Sequence, residues 1–253
     1  MTERVLSDIL KSRGIALFLD IDGTLVDIAP TPDAVVVPPG LPDELERLCA
    51  SLDGALALVS GRTLDEIDRL IPVGLDAAGS HGLEWRQGGS LVHSRPNPAE
   101  AVSAALDGLR AELAAYPDLV YERKRYSFAL HYRSYPDLGD ELRRMADRAC
   151  ATLGDEWRVQ CGKMVVEVLC GHSHKGDAIR QFMAQKPYAD RVPVFAGDDL
   201  TDEEGFAAVN AMGGVSIAIG ERETARAHLH LESPARLRDW LVDLAETLGG
   251  LAA

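Results

Sequence analysis

Apolar residues follow two rhythms along this chain. Short, nearly continuous apolar runs at 15–19, 55–59, 192–196 and 215–219 have the length and continuity of strands buried on both faces. Between them, near 41–51, 64–71, 177–184 and 203–209, apolar positions recur at helical spacing. Strands alternating with helices, with a further short strand near 75–78, predict a parallel sheet with crossover helices. The alternation stops at Pro96-Asn97-Pro98. Beyond it the pattern predicts a helix over about 99–115, tightly joined strands at about 119–124 and 126–133, a second helix over about 138–153, and strands at about 157–161 and 163–169. Helix-strand-strand, twice over, is a compact α+β module, although its halves share no sequence repeat. Gly171-His172-Ser173-His174 returns the chain to the parallel pattern. The expected organisation is therefore a discontinuous α/β core, residues 1–97 and 171–253, with a smaller α+β cap, 98–170, inserted on two linkers.

Composition narrows this picture only at its edges. The 46% hydrophobic and 26% charged residues are ordinary for a globular chain, and no apolar run approaches the ~20 residues that span a bilayer. The amino terminus mixes charges of both signs and carries no secretion signal, so a cytoplasmic location is expected. Four cysteines (Cys49, Cys150, Cys161, Cys170) lack Cys-x-x-Cys spacing, which suits reduced thiols. A formal charge of −14 argues against nucleic-acid binding, since phosphate contacts need Lys and Arg. An anionic substrate would have to meet a local positive field made by a metal or a few placed basic groups.

The chemistry concentrates at predicted strand ends. Asp20-Ile21-Asp22-Gly23-Thr24 follows the run Ile15 to Leu19, so two carboxylates are delivered where open α/β sheets place their ligands. Such a pair repels unless a cation holds it or a proton is shared. Standing alone, it would also serve as a turn cap. The run Ala55 to Val59 leads into Ser60-Gly61-Arg62-Thr63, with Thr63 and Glu66 at capping-box spacing, a helix entrance suited to phosphate but also a common turn. Val192 to Ala196 leads into Gly197-Asp198-Asp199-Leu200-Thr201-Asp202-Glu203. An acidic first helical turn explains Asp202 and Glu203; it explains Asp198 and Asp199 poorly. Hard oxygens from two strand ends fit Mg²⁺. Lys175-Gly176, just before a predicted helix, is either a solvated lysine or a phosphate neutraliser, and Gly79-Ser80-His81-Gly82-Leu83-Glu84 is a turn with an imidazole and a carboxylate.

Taken in order, Asp20-x-Asp22-Gly23-Thr24, Ser60, Lys175 and Gly197-Asp198-Asp199-x-x-Asp202 resemble the haloacid dehalogenase-like phosphohydrolases. Ser60-Gly61-Arg62, Gly79-x-His81-Gly82-x-Glu84, Glu122-x-Lys124, Gly162-Lys163-x-x-x-Glu167 and Gly197-Asp198-Asp199-x-Thr201-Asp202-Glu203 extend the resemblance, over nearly the full length, to the trehalose-6-phosphate phosphatase family. His174 departs from the Asn or Asp that relatives often carry there. The resemblance implies a Rossmann-like core of haloacid dehalogenase type with a cap, and hydrolysis of a sugar phosphate through an aspartyl-phosphate. It implies Asp20 as nucleophile, Asp22 as acid and base, and Ser60 and Lys175 as holders of the phosphoryl oxygens. Mg²⁺ would be bound by Asp20, the Asp22 carbonyl and Asp198, with Asp199 and Asp202 behind them. Substrate contacts would come from Gly61, Arg62, His81, Gly82 and Glu84 in the core. In the cap, Glu122, Lys124, Arg133, Lys163 and Glu167 would read the sugar from strands of one sheet. A solvated strand face would show the same alternation. A monomer acting on a small-molecule sugar phosphate, with no nucleic-acid or membrane partner, is expected. A sucrose-phosphate or mannosyl-glycerate-phosphate type phosphatase, a phosphomutase and a non-catalytic sugar-phosphate sensor are the competing readings.

Overall fold

The computed structural model describes residues 14–94, 98–171, 173–222 and 224–251. The chain divides into two compact units, Met1–Ser94 with His174–Ala253, and Arg95–Ser173. In chain order the first segment carries β1 (Ile15–Leu19), α1 (Leu41–Ser51), β2 (Leu56–Val59), α2 (Leu64–Leu70), β3 (Asp76–Gly79), β4 (Glu84–Gln87) and β5 (Ser90–Ser94). The middle segment carries α3 (Ala99–Leu113), β6 (Val120–Arg123), β7 (Ser127–His131), α4 (Gly139–Leu153), β8 (Trp157–Gly162) and β9 (Val165–Cys170). The last carries α5 (Lys175–Met183), β10 (Val192–Gly197), α6 (Glu203–Ala211), β11 (Val215–Ile219), β12 (Leu229–Leu231) and α7 (Pro234–Leu251).

The larger unit is built on one sheet in the order β12-β11-β10-β1-β2-β3-β4-β5. β12 through β3 in that order are parallel, and β4 and β5 turn back antiparallel. Every residue of β1 is buried, as its unbroken apolar run requires of a central parallel strand. Its register sets Leu19 beside both Ala196 of β10 and Leu58 of β2, so the residues that leave these three strands emerge together. The hairpin β4–β5 departs from the expected α/β alternation. Its turn is Gly88-Gly89, both at positive φ, the geometry that matches the twist of paired strands.

Aromatic packing fixes α5 against the sheet. Phe182 of α5 meets Phe18 of β1, Tyr188 and Trp85 at ring-centroid separations of 5.9, 5.1 and 5.3 Å. Full burial of side chains of this kind contributes about 1.5–3 kcal/mol each. On its other flank α5 nearly touches α6. A Cβ on Gly176 would lie 2.4 Å from the backbone oxygen of Glu204, so only glycine admits this approach. α5 starts at Lys175 itself, two residues earlier than the apolar spacing places it.

In the smaller unit, four antiparallel strands run in the order β6-β7-β9-β8. Phe128, Leu130, Val166 and Val168 pack under α3 and α4 against Val102, Leu109, Leu142 and Met145. The alternate residues form the opposite face, where Glu122, Ala129, Glu167 and Gln160 stand in one cross-strand row. Lys163 and Arg133 are not on that sheet as expected. Lys163 sits in the turn before β9, where Met164 takes φ 60°, and Arg133 lies past the end of β7. Among the described residues, no helix is long and apolar enough to cross a membrane.

Candidate active site

After Leu19 the chain leaves β1 with the Asp20 amide donating to Ala196 O at 3.0 Å, then closes a turn in which Gly23 N–H reaches Val26 O at 2.8 Å. Gly23 has φ 80°, and a Cβ there would fall 2.2 Å from Asp198 Oδ2. The glycine therefore serves twice, for the turn and for the approach of Asp198. Thr24, fully buried, donates from its hydroxyl to Asp198 Oδ1 at 3.2 Å.

Lys175 is 2% exposed, and its ammonium lies 2.8 Å from Asp20 Oδ1 and 2.7 Å from Asp202 Oδ1. Asp202 is fully buried, and its second oxygen accepts the amides of Asp198 at 3.0 Å and Asp199 at 2.9 Å. One carboxylate thus folds the loop after β10 and anchors the lysine. Asp199 turns its own carboxylate to the Leu200 amide at 2.6 Å.

Asp20, Asp198 and Asp202 each offer a ligand oxygen, all within 4.8 Å of one another. Burial pushes the Asp20 carboxyl well above the usual carboxylate range; Lys175 opposes this, while Asp202 and Asp198 add to it. Burial and the neighbouring Asp202 push Asp198 up to about 7, against Lys175. For Lys175 burial acts downward, but Asp20 and Asp202 outweigh it and its ammonium is held above the usual lysine range. Fully ionised, three carboxylates against one ammonium would carry an excess of two negative charges. Hard oxygen donors with that excess fit a divalent cation.

Asp22 faces a different partner. Arg62 holds it by both ends, Nε to Oδ2 and Nη2 to Oδ1, each at 2.7 Å. Ser60 is buried, and its hydroxyl accepts the Arg62 amide at 3.2 Å. Thr63 and Glu66 close the expected capping box at the start of α2. Behind Gly61 stands the His81 ring, so near that a Cβ at Gly61 would lie 2.7 Å from it. Ser80, His81 and Gly82 all take positive φ, held by Ser80 N–H to Arg62 O at 2.7 Å and His81 N–H to Ser60 O at 3.1 Å. Glu84 is 1% exposed and accepts the Leu64 amide at 3.0 Å and the Ser80 hydroxyl at 3.2 Å. The sequence pattern marked it for substrate, whereas its carboxylate is turned inward to brace this wall.

In the smaller unit, Lys124 Nζ lies 3.2 Å from Glu167 Oε1 and 3.8 Å from Glu122 Oε2, over the small Ala129. Ser127 donates to Glu167 at 2.5 Å, and His131 lies 3.2 Å from Glu122. Burial pushes the Glu122 carboxyl up, but the His131 contact and Lys124 bring it below its usual range. Arg133 and Lys163 are exposed. Thr24 stands in the Asp20 motif without a role of its own in the sequence, and Ser127 and His131 carry no motif signature. Ser127, Ala129 and His131 alternate along β7, and that period of two was the available signal.

Residues 18–235 match the family model described as trehalose-phosphatase. The chain is 46% identical over 210 residues to a probable trehalose-phosphate phosphatase of Sinorhizobium fredii, covering 81% of this chain and 77% of that one. It is 42% identical over 225 residues to the trehalose-6-phosphate phosphatase of Escherichia coli, covering 88% and 84%. A solved trehalose-6-phosphate phosphatase related protein superimposes with a TM-score of 0.78 at 26% identity, over 95% of this chain and 100% of that one.

Cation binding at this cluster must displace a proton wherever Asp198 is protonated. The affinity is therefore expected to rise as pH climbs through about 7, with the raised Asp20 carboxyl acting in the same direction. Titration of the metal-free protein with Mn²⁺ at pH 5.5, 6.5 and 8 checks this; an affinity that is flat or falls with pH contradicts it.

Proposed function

The chain belongs to the trehalose-phosphatase family, and from that premise we propose that it hydrolyses trehalose 6-phosphate to trehalose and inorganic phosphate, the last step of trehalose biosynthesis. It is a phosphoric monoester hydrolase with the α/β, parallel-sheet fold of the haloacid dehalogenase type. The observation that carries the reading is Asp20 at the end of β1, held by a buried Lys175 beside Asp198, with Asp22 on the next turn.

In the proposed reaction an Asp20 oxygen attacks phosphorus and the bond from phosphorus to the sugar oxygen breaks. Asp22 gives that oxygen a proton, releasing trehalose and leaving an aspartyl-phosphate. Asp22 then takes a proton from water, which attacks phosphorus, frees phosphate and restores Asp20. Arg62 holds both Asp22 oxygens while that carboxylate is ionised, so for the proton-donating step Asp22 turns one oxygen away from Arg62, and Arg62 acts through Asp22 in this reading. Ser60 and Lys175 hold phosphoryl oxygens, where charge spreads in a loose transition state. Mg²⁺, held by Asp20, Asp198 and the Asp22 carbonyl with Asp199 and Asp202 supporting, would neutralise charge on the phosphoryl group. Asp202, whose two oxygens are already engaged, supports by shaping the loop. His81 and Gly82 line the wall beside Ser60 and Arg62, and Glu84 holds that wall in place. The unit 95–173 is proposed as the cap that selects the sugar through Glu122, Lys124 and Glu167, with Arg133 and Lys163 at its margin. A cytoplasmic location completes the proposal, supported by four free cysteines.

Asp20→Asn is expected to stay folded and to lose turnover by roughly four orders of magnitude, because an amide is a poor nucleophile. Phosphate release by the purified variant measures this, and near-normal release overturns the nucleophile. Glu122→Ala is expected to lower kcat/KM for trehalose 6-phosphate by roughly ten- to a hundredfold, the worth of a charged hydrogen bond. Hydrolysis of p-nitrophenyl phosphate, which has no sugar to read, should barely change. An unchanged ratio of the two substrates would return this face to ordinary solvated strand surface.

A further inference from the structure

Arg222, in the loop between β11 and β12, places its guanidinium against the loop that carries Asp198. Its Nε donates to Asp198 O and its Nη2 to Asp199 O, each at 3.1 Å, and Nη2 pairs with Glu203 Oε1 at 2.6 Å. A guanidinium set near Asp198, Asp199 and Glu203 would ordinarily bind whichever carboxylates it reached. Here it takes the two main-chain carbonyls and the Glu203 carboxylate, and it leaves the Asp198 carboxylate to face Asp20.

The same stretch of chain is held from its other edge. Asp202 Oδ2 accepts the amides of Asp198 and Asp199 at 3.0 and 2.9 Å. The peptide unit joining Asp198 to Asp199 therefore gives its N–H to a carboxylate and its oxygen to a guanidinium, with its dipole lying between opposite charges. The peptide unit before Asp198 is pinned at its N–H as well. With both neighbouring peptide planes fixed, the direction of the Asp198 Cα–Cβ bond is fixed too, and the Thr24 hydroxyl on Oδ1 then sets the carboxylate at its end.

We propose that Arg222 is a positioning residue for cation binding: it acts through the main chain of Asp198 and preorganises that carboxylate before the cation arrives. The inference rests on reading Asp20 and Asp198 as ligands of a divalent cation. Arg226 supplies the comparison. It pairs with Glu203 and Glu204, each at 3.7 Å, and donates to Glu203 O at 3.2 Å, with no bond to Asp198 or Asp199.

The test uses the full chain, no substrate, and Mn²⁺ as probe, with free Mn²⁺ counted by electron paramagnetic resonance. Arg222→Met is expected to weaken Mn²⁺ binding by about ten- to a hundredfold, the range for partners behind a metal ligand. Its melting temperature in chelator should stay near wild type, and saturating cation should restore turnover with KM for the sugar phosphate unchanged. Arg226→Met should bind Mn²⁺ as wild type does. Wild-type affinity in Arg222→Met overturns the inference, and so does an equal loss in Arg226→Met, which would reduce the effect to general charge. Should Arg222→Met fail to fold, Arg222→Lys decides: it keeps the charge but cannot span both carbonyls, so weakened binding supports the brace and wild-type affinity overturns it. Asp198→Ala separates the two readings. Undiminished Mn²⁺ binding in that variant removes the cation site itself, and the inference with it.

Discussion

A lysine ammonium buried between two aspartates is the constraint on which the rest of this site depends. Lys175 sits within 2.8 Å of Asp20 and 2.7 Å of Asp202, almost wholly out of water. Taking such charges from water costs several kcal/mol per ion, and only close pairing repays it. The pairing in turn needs α5 to begin at this spot, although a cation in the first turn opposes the helix dipole. Tertiary packing overrides that preference. Phe182 locks α5 onto β1, and Gly176 lets α6 come close enough to bring Asp202 to the lysine.

The residues of the site divide by what they touch. Asp20, Asp22, Ser60 and Asp198 present groups toward a reacting phosphate in the proposed chemistry. Asp202, Glu84 and Arg222 are spent on amides, a hydroxyl and carbonyls of the protein itself. Acidic residues dominate both groups, so charge alone does not tell them apart. An oxygen that already accepts two backbone N–H groups has little capacity left for a ligand, and counting partners atom by atom makes the distinction. The polar face of the smaller unit follows the same logic: Lys124 is shared by Glu122 and Glu167, and Ser127 and His131 contact the same two oxygens that face it, Glu167 Oε1 and Glu122 Oε2.

Much of this was legible along the chain. Strands β1, β2, β10 and β11 are buried on both faces, so they appear as nearly continuous apolar runs, and the carboxylate motifs follow β1 and β10 directly. The hairpin β4–β5 lies at the sheet's edge, where mixed polarity in Glu84–Gln87 hides the strand; Gly88-Gly89 was the signal to heed. The last strand, β12, is hidden because three residues are too few for periodicity to show, whereas α7, absent from the expected elements, carries a helical signal in Leu237, Leu241 and Leu244. Lys163 and Glu167 share a parity that suggests one strand face, but a turn at Met164 breaks the count before β9 begins. The roles of Glu84 and Arg222 were not legible at all. Their partners, Leu64 and Ser80 for one, Asp198 and Asp199 for the other, become neighbours only in the folded chain.

The charge balance at Lys175 is tested most directly by a double-mutant cycle in urea unfolding, carried out in chelator, with Lys175→Met, Asp202→Asn and the pair. Removing one partner of a buried ion pair costs about 3–5 kcal/mol, because the other is left uncompensated. The expected result is strong coupling: the double variant is destabilised by at least about 1 kcal/mol less than the two single changes together. Additive losses would contradict it, and would mean that Lys175 and Asp202 sit side by side without depending on each other.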